Sequence, residues 1–566
     1  MRVQLQSKLR RTSGLCALAV VAIALLWPRG DSASANAPLA MAAGAAHTCA
    51  LSTDGTVRCW GLNWRGQLGD GTTTDSDTPT DVCTQPSSCS PLVGAIAITA
   101  GASHTCTLLL EGQVECWGSN RFGELGADAP DVCAVEGLGT YECSLLPVHV
   151  AGLDADVTAI DAGEGHTCAL TTLGNVKCWG DNSSGQLGDG TTSNSKTPVD
   201  VCSQGPPAPC SPIDGIVSFS AGGKHTCAIS ATGPTKCWGA NASGQLGDGT
   251  TANRATPVDV CSQASPQPCS PLSGIIAAAA ASEHTCALSS SGNVKCWGLN
   301  GGSGQLGNGT TGDYQTTPVD VCTQAPPAPC VPLGGVAAVA SVGYHTCVIT
   351  TMRGLKCWGY GFFGKLGPYQ PSAASALPND VCTATFPMPC APLSDIAALA
   401  TGGFHTCAVI EDGGAKCWGW NEYGQLGNPT ASGGIPTDVL FDTKPPPMPP
   451  STPTPTACPL DACMPDAASP TTTGTATATE ATTPTATPTH TRTPPRTATP
   501  HIVGDADCNR KVGALDAAVV LQYDGGLIVS LPCPSTADVN GDGRVDALDA
   551  LLILQFVAGL IDGLPP

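Results

Sequence analysis

Oxygen-bearing side chains at short, regular spacing are the first residues of this sequence whose chemistry can be read. Asp538, Asn540 and Asp542 alternate along the chain, Gly543 follows, and Asp549 closes a stretch of twelve positions. Oxygen donors at positions 1, 3, 5 and 12, with glycine at 6 for the sharp turn, are what a hard cation such as Ca²⁺ requires. Arg544 at position 7 adds its backbone carbonyl, and Asp546 at position 9 coordinates directly or through water. A second set lies 33 residues earlier, where Asp505, Asp507, Asn509 and Asp516 fill the same four positions. There Arg510 replaces the glycine and Gly513 has no side chain to offer, which predicts weaker binding.

Each oxygen-rich loop runs into an apolar helical stretch, residues 515–522 in the first copy and 548–555 in the second. Two half EF-hands of this kind, following a Pro/Thr-rich segment, resemble a type I dockerin. The resemblance implies a small all-α calcium-binding domain that docks onto a cohesin-type partner or a surface scaffold. Its recognition positions, just before the twelfth ligand, correspond to Ala514, Leu515, Ala547 and Leu548, which are apolar. The competing reading is a calcium-stabilised cap without a partner.

Cysteine and histidine form the second chemical pattern. His-Thr-Cys, then Cys-Trp-Gly ten positions after the first cysteine, then Gly-x-Leu-Gly, occurs seven times. The first cysteines are Cys49, Cys106, Cys168, Cys227, Cys286, Cys347 and Cys407, in steps of 57 to 62 residues. Cysteines ten apart around a tight turn can face each other across a hairpin at disulfide distance. A metal site built from His-x-Cys and the second cysteine competes with this, although zinc sites usually use closely paired cysteines. A second set lies between the repeats: Cys83/Cys89, Cys133/Cys143, Cys202/Cys210, Cys261/Cys269, Cys322/Cys330 and Cys382/Cys390. Each is expected to follow an Asp-Val strand end, the aspartates being Asp81, Asp131, Asp200, Asp259, Asp320 and Asp380, and to enclose a loop on one common face. Those loops either resist proteolysis or form a rigid binding rim.

The elements that must position these residues are strands. In one unit, 156–162, 166–170, 176–180 and 197–201 read as strands, with a hairpin turn at Leu173-Gly174-Asn175. Four short strands per repeat, seven times over, predict an all-β seven-bladed propeller. Blades bury both faces, so the series must close, and strands from both ends of the chain could complete the last blade. The runs Gly66–Thr72, Gly185–Thr191 and Gly244–Thr250, with the preceding Trp-Gly-x-Asn, resemble the RCC1 repeat. That family includes a guanine-nucleotide exchange factor and an inhibitor of β-lactamases, so the resemblance also implies exchange or inhibition as minor readings. The expected domains are a signal peptide (1–35), the propeller (36–443), a Pro/Thr-rich linker (444–500) and the dockerin-like module (501–566).

Export follows from the first residues and from the cysteines. Arg2, Lys8, Arg10 and Arg11 precede an apolar run of 13 residues, and Ala33-Ser34-Ala35 offers a cleavage site. Of 31 cysteines, Cys16 falls in that segment, leaving an even number to pair outside the cell. Cys458 with Cys463, and Cys508 with Cys533, are placed to join that pairing. The apolar run is too short to span a bilayer comfortably, and the sequence has no second one. The formal net charge is −21, which repels phosphate backbones and argues against nucleic acid as a partner.

A residue present in all seven copies belongs to the blade, and that covers His47, His104, His166, His225, His284, His345 and His405. Positions that break the repeat are the better candidates for recognition. After Trp-Gly the turn carries Trp64 and Arg65 in blade 1, and Arg121 and Phe122 in blade 2. Blade 6 has Phe362 and Phe363, and blade 7 has Trp420 and Tyr423, while blades 3 to 5 have only Ser, Ala or Gly. Blades 6, 7, 1 and 2 are neighbours in a ring, so these side chains are expected to form one arc that binds a glycan or protein ligand. The leading expectation is an extracellular binding or adhesion protein. The alternative is a polysaccharide-active enzyme, against which stands the lack of a singular acid pair.

Overall fold

The computed structural model describes residues 37–441, apart from 86–87, 136–138, 154–155, 232, 264–268, 369–373, 385–389 and 432. The chain divides between Asp442 and Thr443 into two units, and the described residues belong to the first.

In blade 1, strands β1 (Pro38–Ala43), β2 (His47–Ser52), β3 (Val57–Gly61) and β4 (Ser76–Asp81) form an antiparallel sheet in chain order. The β2–β3 register sets Cys49 opposite Cys59, and the two are disulfide-bonded with Cα atoms 4.0 Å apart. That close spacing marks a non-hydrogen-bonded pair, where a disulfide fits without moving the strands. All seven blades repeat this hairpin staple. Gly61, at the end of Cys-Trp-Gly, sits at φ 102°, and a Cβ there would lie 2.6 Å from the Ala46 carbonyl oxygen. Only glycine allows β3 to pass that close to the start of β2.

The sheets follow around the ring at 38–81, 95–149, 157–200, 216–259, 275–320, 336–380 and 396–438, which makes a seven-bladed all-β propeller. In the third blade the strands are Val157–Ala162, His166–Thr171, Val176–Gly180 and Ser195–Asp200, each within two residues of the sequence reading.

The core lies between blades rather than inside them. Leu51, Val57, Leu68 and Val82 of blade 1 close around Trp117 of blade 2, and six equivalent clusters complete the circle. The Gly-x-Leu-Gly loop of each blade is the latch. Trp117 Nε1 donates to the Gln67 carbonyl at 3.0 Å, and every blade's tryptophan makes the same bond to the loop before it.

Two expectations require correction. The last blade is not shared between the chain ends, because blades 1 and 7 each hold four consecutive strands. Their seam is closed by the common latch, with Trp60 Nε1 and Thr48 Oγ1 both donating to the Gln425 carbonyl. A latch on every blade makes a shared strand unnecessary. Blade 2 is the other exception. Its sheet has five strands, with Asp131–Val135 outermost and Gly139–His149 in the place held elsewhere by the Asp-Val strand. Cys133–Cys143 therefore staples this added hairpin, while the other five loop disulfides share one position, each beside a Cys-to-Pro bridge. In six blades the aspartate pairs across the outer ladder with Arg58, Lys177, Lys236, Lys295, Lys356 or Lys416. Blade 2 departs from this, with the acid Glu115 on the inner strand facing the His149 imidazole at 3.8 Å.

Candidate binding surface

His47 opposes Gly61 in the register, so the turn before β2 and the turn after β3 emerge at the same end of the blade. One face of the ring thus collects two turns from every blade. The turns after Trp-Gly carry the side chains that break the repeat, and the turns before His-Thr-Cys add two rings the sequence reading passed over. Tyr344 and Phe404 stand directly before the repeated histidine, where other blades have Ala46, Ser103, Gly165, Lys224 and Glu283. Comparing that position across the repeats would have found them.

The rings of blades 6, 7 and 1 form a file. Tyr344 meets Tyr360 at 6.5 Å between centroids, Tyr360 stacks on Phe362 at 5.3 Å, and Phe362 meets Phe363 at 6.2 Å. Phe363 stacks on Trp420 at 5.5 Å, Trp420 meets Tyr423 at 5.1 Å, and Tyr423 meets Trp64 at 5.4 Å. Phe404 braces the file from the inner turn, against both Phe363 and Trp420. These rings pack on one another and still face solvent, with Trp64 44%, Phe362 50% and Phe363 47% exposed. The two arginines are placed differently. Arg65 donates to the Tyr141 hydroxyl at 2.8 Å and to Ser103 Oγ, which ties it to the added hairpin of blade 2. Arg121 lies 5.2 Å from the Phe122 ring, and that ring is close to Gly165 of blade 3. No ring contact joins Phe122 to the file among the described residues.

A shallow, open hollow of about 460 Å³ lies beside the file, lined by Phe363, Gly364, Trp420, Asn421, Ala431 and the glycines 419, 433 and 434. It exists because Gly434 lies against the turn glycine Gly364, whereas the equivalent contacts elsewhere use Leu145, Lys196, Ala255, Thr316, Ala376 and Asp77.

Lys365 lies beneath the file. At its position the other loops have Gln or Glu, and in five of the six the side-chain oxygen accepts the N–H two residues earlier, as Gln67 does from Arg65 and Glu124 from Phe122, while the Gln305 oxygen is left without a partner. Lysine has no acceptor. The turn Phe362–Gly364 tightens instead, with Phe363 at φ 64°, and Nζ donates to the Gly403 carbonyl of blade 7 at 2.9 Å. The Tyr360 and Phe404 rings lie 4.9 and 6.0 Å from Nζ, and burial lowers the pKa of this lysine to about 7. The latch survives because it uses backbone: the Lys365 carbonyl still accepts from Thr406 Oγ1 and Trp418 Nε1.

The seven histidines form a separate ring. Each Nε2 lies 2.7–3.0 Å from the threonine Oγ1 of the adjoining blade, and His405 closes the circle on Thr48. Six of those hydroxyls donate onward to a latch carbonyl. A hydroxyl has one proton, so each must accept from Nε2–H, which assigns the tautomer for those six. Each Nδ1 is buried without a protein partner, and burial lowers the pKa of His47, His104, His225, His284 and His405 to about 3. Such imidazoles are neutral structural donors.

The proposed calcium donors Asp538, Asn540, Asp542, Arg544, Asp546, Asp549, Asp505, Asp507, Asn509 and Asp516 lie outside the described residues. So do Ala514, Leu515, Ala547 and Leu548, residues 1–35, and Cys458, Cys463, Cys508 and Cys533.

Comparison with known proteins follows the same division. The description "Regulator of chromosome condensation (RCC1) repeat" matches residues 40–67, 95–124, 157–186, 216–245, 275–305 and 396–425. A second model with that description matches 54–108, 111–170, 174–229 and 237–288. "Dockerin type I domain" matches residues 503–558. The ultraviolet-B receptor UVR8 of Arabidopsis thaliana is 28% identical over 397 residues, 69% of this chain and 78% of the receptor. The E3 ubiquitin-protein ligase HERC2 of Homo sapiens is 28% identical over 284 residues, 49% of this chain but 5% of the ligase. Among solved structures, Prp20p of Saccharomyces cerevisiae superposes with a TM-score of 0.51 at 21% identity, covering 69% of this chain and 86% of its own. Human WBSCR16 gives 0.52 at 20%, covering 68% and 94%. At these identities the two structures show the fold alone.

Proposed function

We propose, from the premise that this chain is an RCC1-repeat propeller carrying a type I dockerin domain, that it is an exported recognition module held on a larger assembly. The observation that carries the reading is the dockerin match at 503–558 on the same chain as a propeller with an exposed ring-lined face. Cohesin-type domains are the partners that a dockerin implies. The oxygen-rich donor set of 538–549, and the weaker one of 505–516, suits Ca²⁺ as the ion on which docking depends. Export is supported by the basic and apolar start of the sequence and by thirteen disulfides among the described residues. Recognition is assigned to the side chains that break the repeat: Trp64, Arg65, Arg121, Phe122, Phe362, Phe363, Trp420 and Tyr423.

Calorimetric titration of the full chain into a panel of type I cohesin domains tests the docking half. Binding in millimolar Ca²⁺ and its loss in chelator are expected, and silence across the panel with Ca²⁺ present would refute it. The propeller half is tested by cosedimentation with insoluble cell-wall material. The Trp64→Ala/Phe122→Ala/Tyr423→Ala variant is expected to remain in the supernatant, and wild-type behaviour from it removes the assignment of the face.

A further inference from the structure

We infer that the ring file over blades 6, 7 and 1 binds a neutral, extended polysaccharide strand, with one sugar unit seated in the hollow beside Trp420. This rests on the reading of that face as the recognition surface and gives its ligand a chemical class.

Three observations lead there. The first is shape. From Tyr360 to Trp64 the successive centroids are 5.1–6.2 Å apart in single file. Neighbouring rings alternate between stacked contact, at 21° and 29°, and edge-on contact, at 68–82°, so the strip offers solvent ring edges with an open face only at the most exposed rings, Trp64, Phe362 and Phe363, against which the apolar C–H face of a sugar unit can lie. A globular partner needs a broad patch instead, about 800 Å² on each side. The second is the floor of the hollow. Gly433 and Gly434 leave bare backbone there, so the hollow is shallow and open and no side chain stands between a sugar unit and Trp420.

The third is charge. Lys365 Nζ already lies 4.9 and 6.0 Å from the Tyr360 and Phe404 ring centroids, so a cationic ligand would compete with an amine already seated against those rings. A polyanion would approach a chain of formal net charge −21, with Glu422 exposed in the same turn as Tyr423. A neutral polyol strand meets neither penalty.

Intrinsic fluorescence provides the test, because among the described tryptophans seven are fully buried and only Trp64 and Trp420 reach this face. The full chain is titrated with cellohexaose, xylohexaose and mannohexaose, and with polygalacturonate and chitosan hexamer as charged counterparts. A saturable change with at least one neutral hexamer is expected, with affinity roughly tenfold or more above that for the dimer of the same sugar. Calorimetry should find at least a tenfold loss for Trp420→Ala and for Trp64→Ala, and none for Tyr314→Ala, an exposed ring of blade 5 outside the file. Silence with all neutral hexamers, preference for a charged glycan, or wild-type affinity in both tryptophan variants would overturn the inference. If the neutral hexamers are silent while the triple variant still loses cosedimentation, the recognition face stands and the glycan assignment falls. If neither assay responds, both fall.

Discussion

The seven buried histidines and Lys365 show how burial of a basic side chain ties stability to pH over different ranges. A histidine with a folded pKa near 3 and an unfolded value near 6.5 binds its proton only in the unfolded chain across that window. Each therefore contributes stability that is present above pH 6.5 and lost as pH falls toward 3, at about 1.4 kcal/mol per pH unit. Urea midpoints measured between pH 7 and pH 4 should fall steeply. His104→Gln should flatten that slope by one histidine's share and cost about 1–3 kcal/mol at pH 7. Lys365 works over a different range. Its folded pKa of about 7 lies below the unfolded value of 10.5, so the unfolded chain holds the extra proton between them and stability rises with pH over that interval. Lys365→Gln restores the acceptor used in other blades and removes the buried charge. It should stabilise the protein by about 1–3 kcal/mol at pH 6, an advantage that shrinks toward pH 10.

At the scale of the element, the hairpin and loop disulfides differ in access. The cysteines of the hairpin staples are fully buried, whereas Cys89, Cys210 and Cys330 of the loop staples are exposed. Brief treatment with a mild reductant followed by alkylation and peptide mapping should label loop cysteines first and leave Cys286–Cys296 intact. Removing that hairpin staple as Cys286→Ala/Cys296→Ala should cost about 2–3 kcal/mol, because the closed loop is short. Blade 2 shows why such elements are partly hidden in a sequence. Cys133 and Cys143 carry the spacing of a staple but belong to an added hairpin, and only the Glu115–His149 register reveals which strand takes the fourth place in the sheet.

At the scale of the molecule, closure is the property with consequences. The blade 1–7 seam uses the same latch as every other seam, so it should be no weaker. Trp60→Phe at the seam and Trp238→Phe within the ring each lose one buried N–H donor to a carbonyl, Gln425 in one case and Gln186 in the other. Both should cost about 1–2 kcal/mol by thermal denaturation, and a much larger loss for Trp60→Phe would show the seam to be special. The ring file is also a property of closure, since it crosses from blade 7 to blade 1 at Tyr423 and Trp64.

The sequence by itself determined the repeat, the hairpin staples, the four strands of every blade but the second and the two oxygen-rich loops, because each depends on spacing within a few dozen residues. It also pointed to the repeat-breaking turns, since identical local frames make any departure visible. Tertiary structure alone decided which of those departures touch. Trp64 and Tyr423 are neighbours only because the ring closes, and Phe122 leaves the file because its turn lies beside Gly165 of the next blade. The burial of Lys365, the tautomers of the histidines and the hollow at Gly433–Gly434 likewise arise from one blade's loop entering its neighbour. Contacts between residues far apart in the chain are set by how the blades pack, and no spacing along the chain records that.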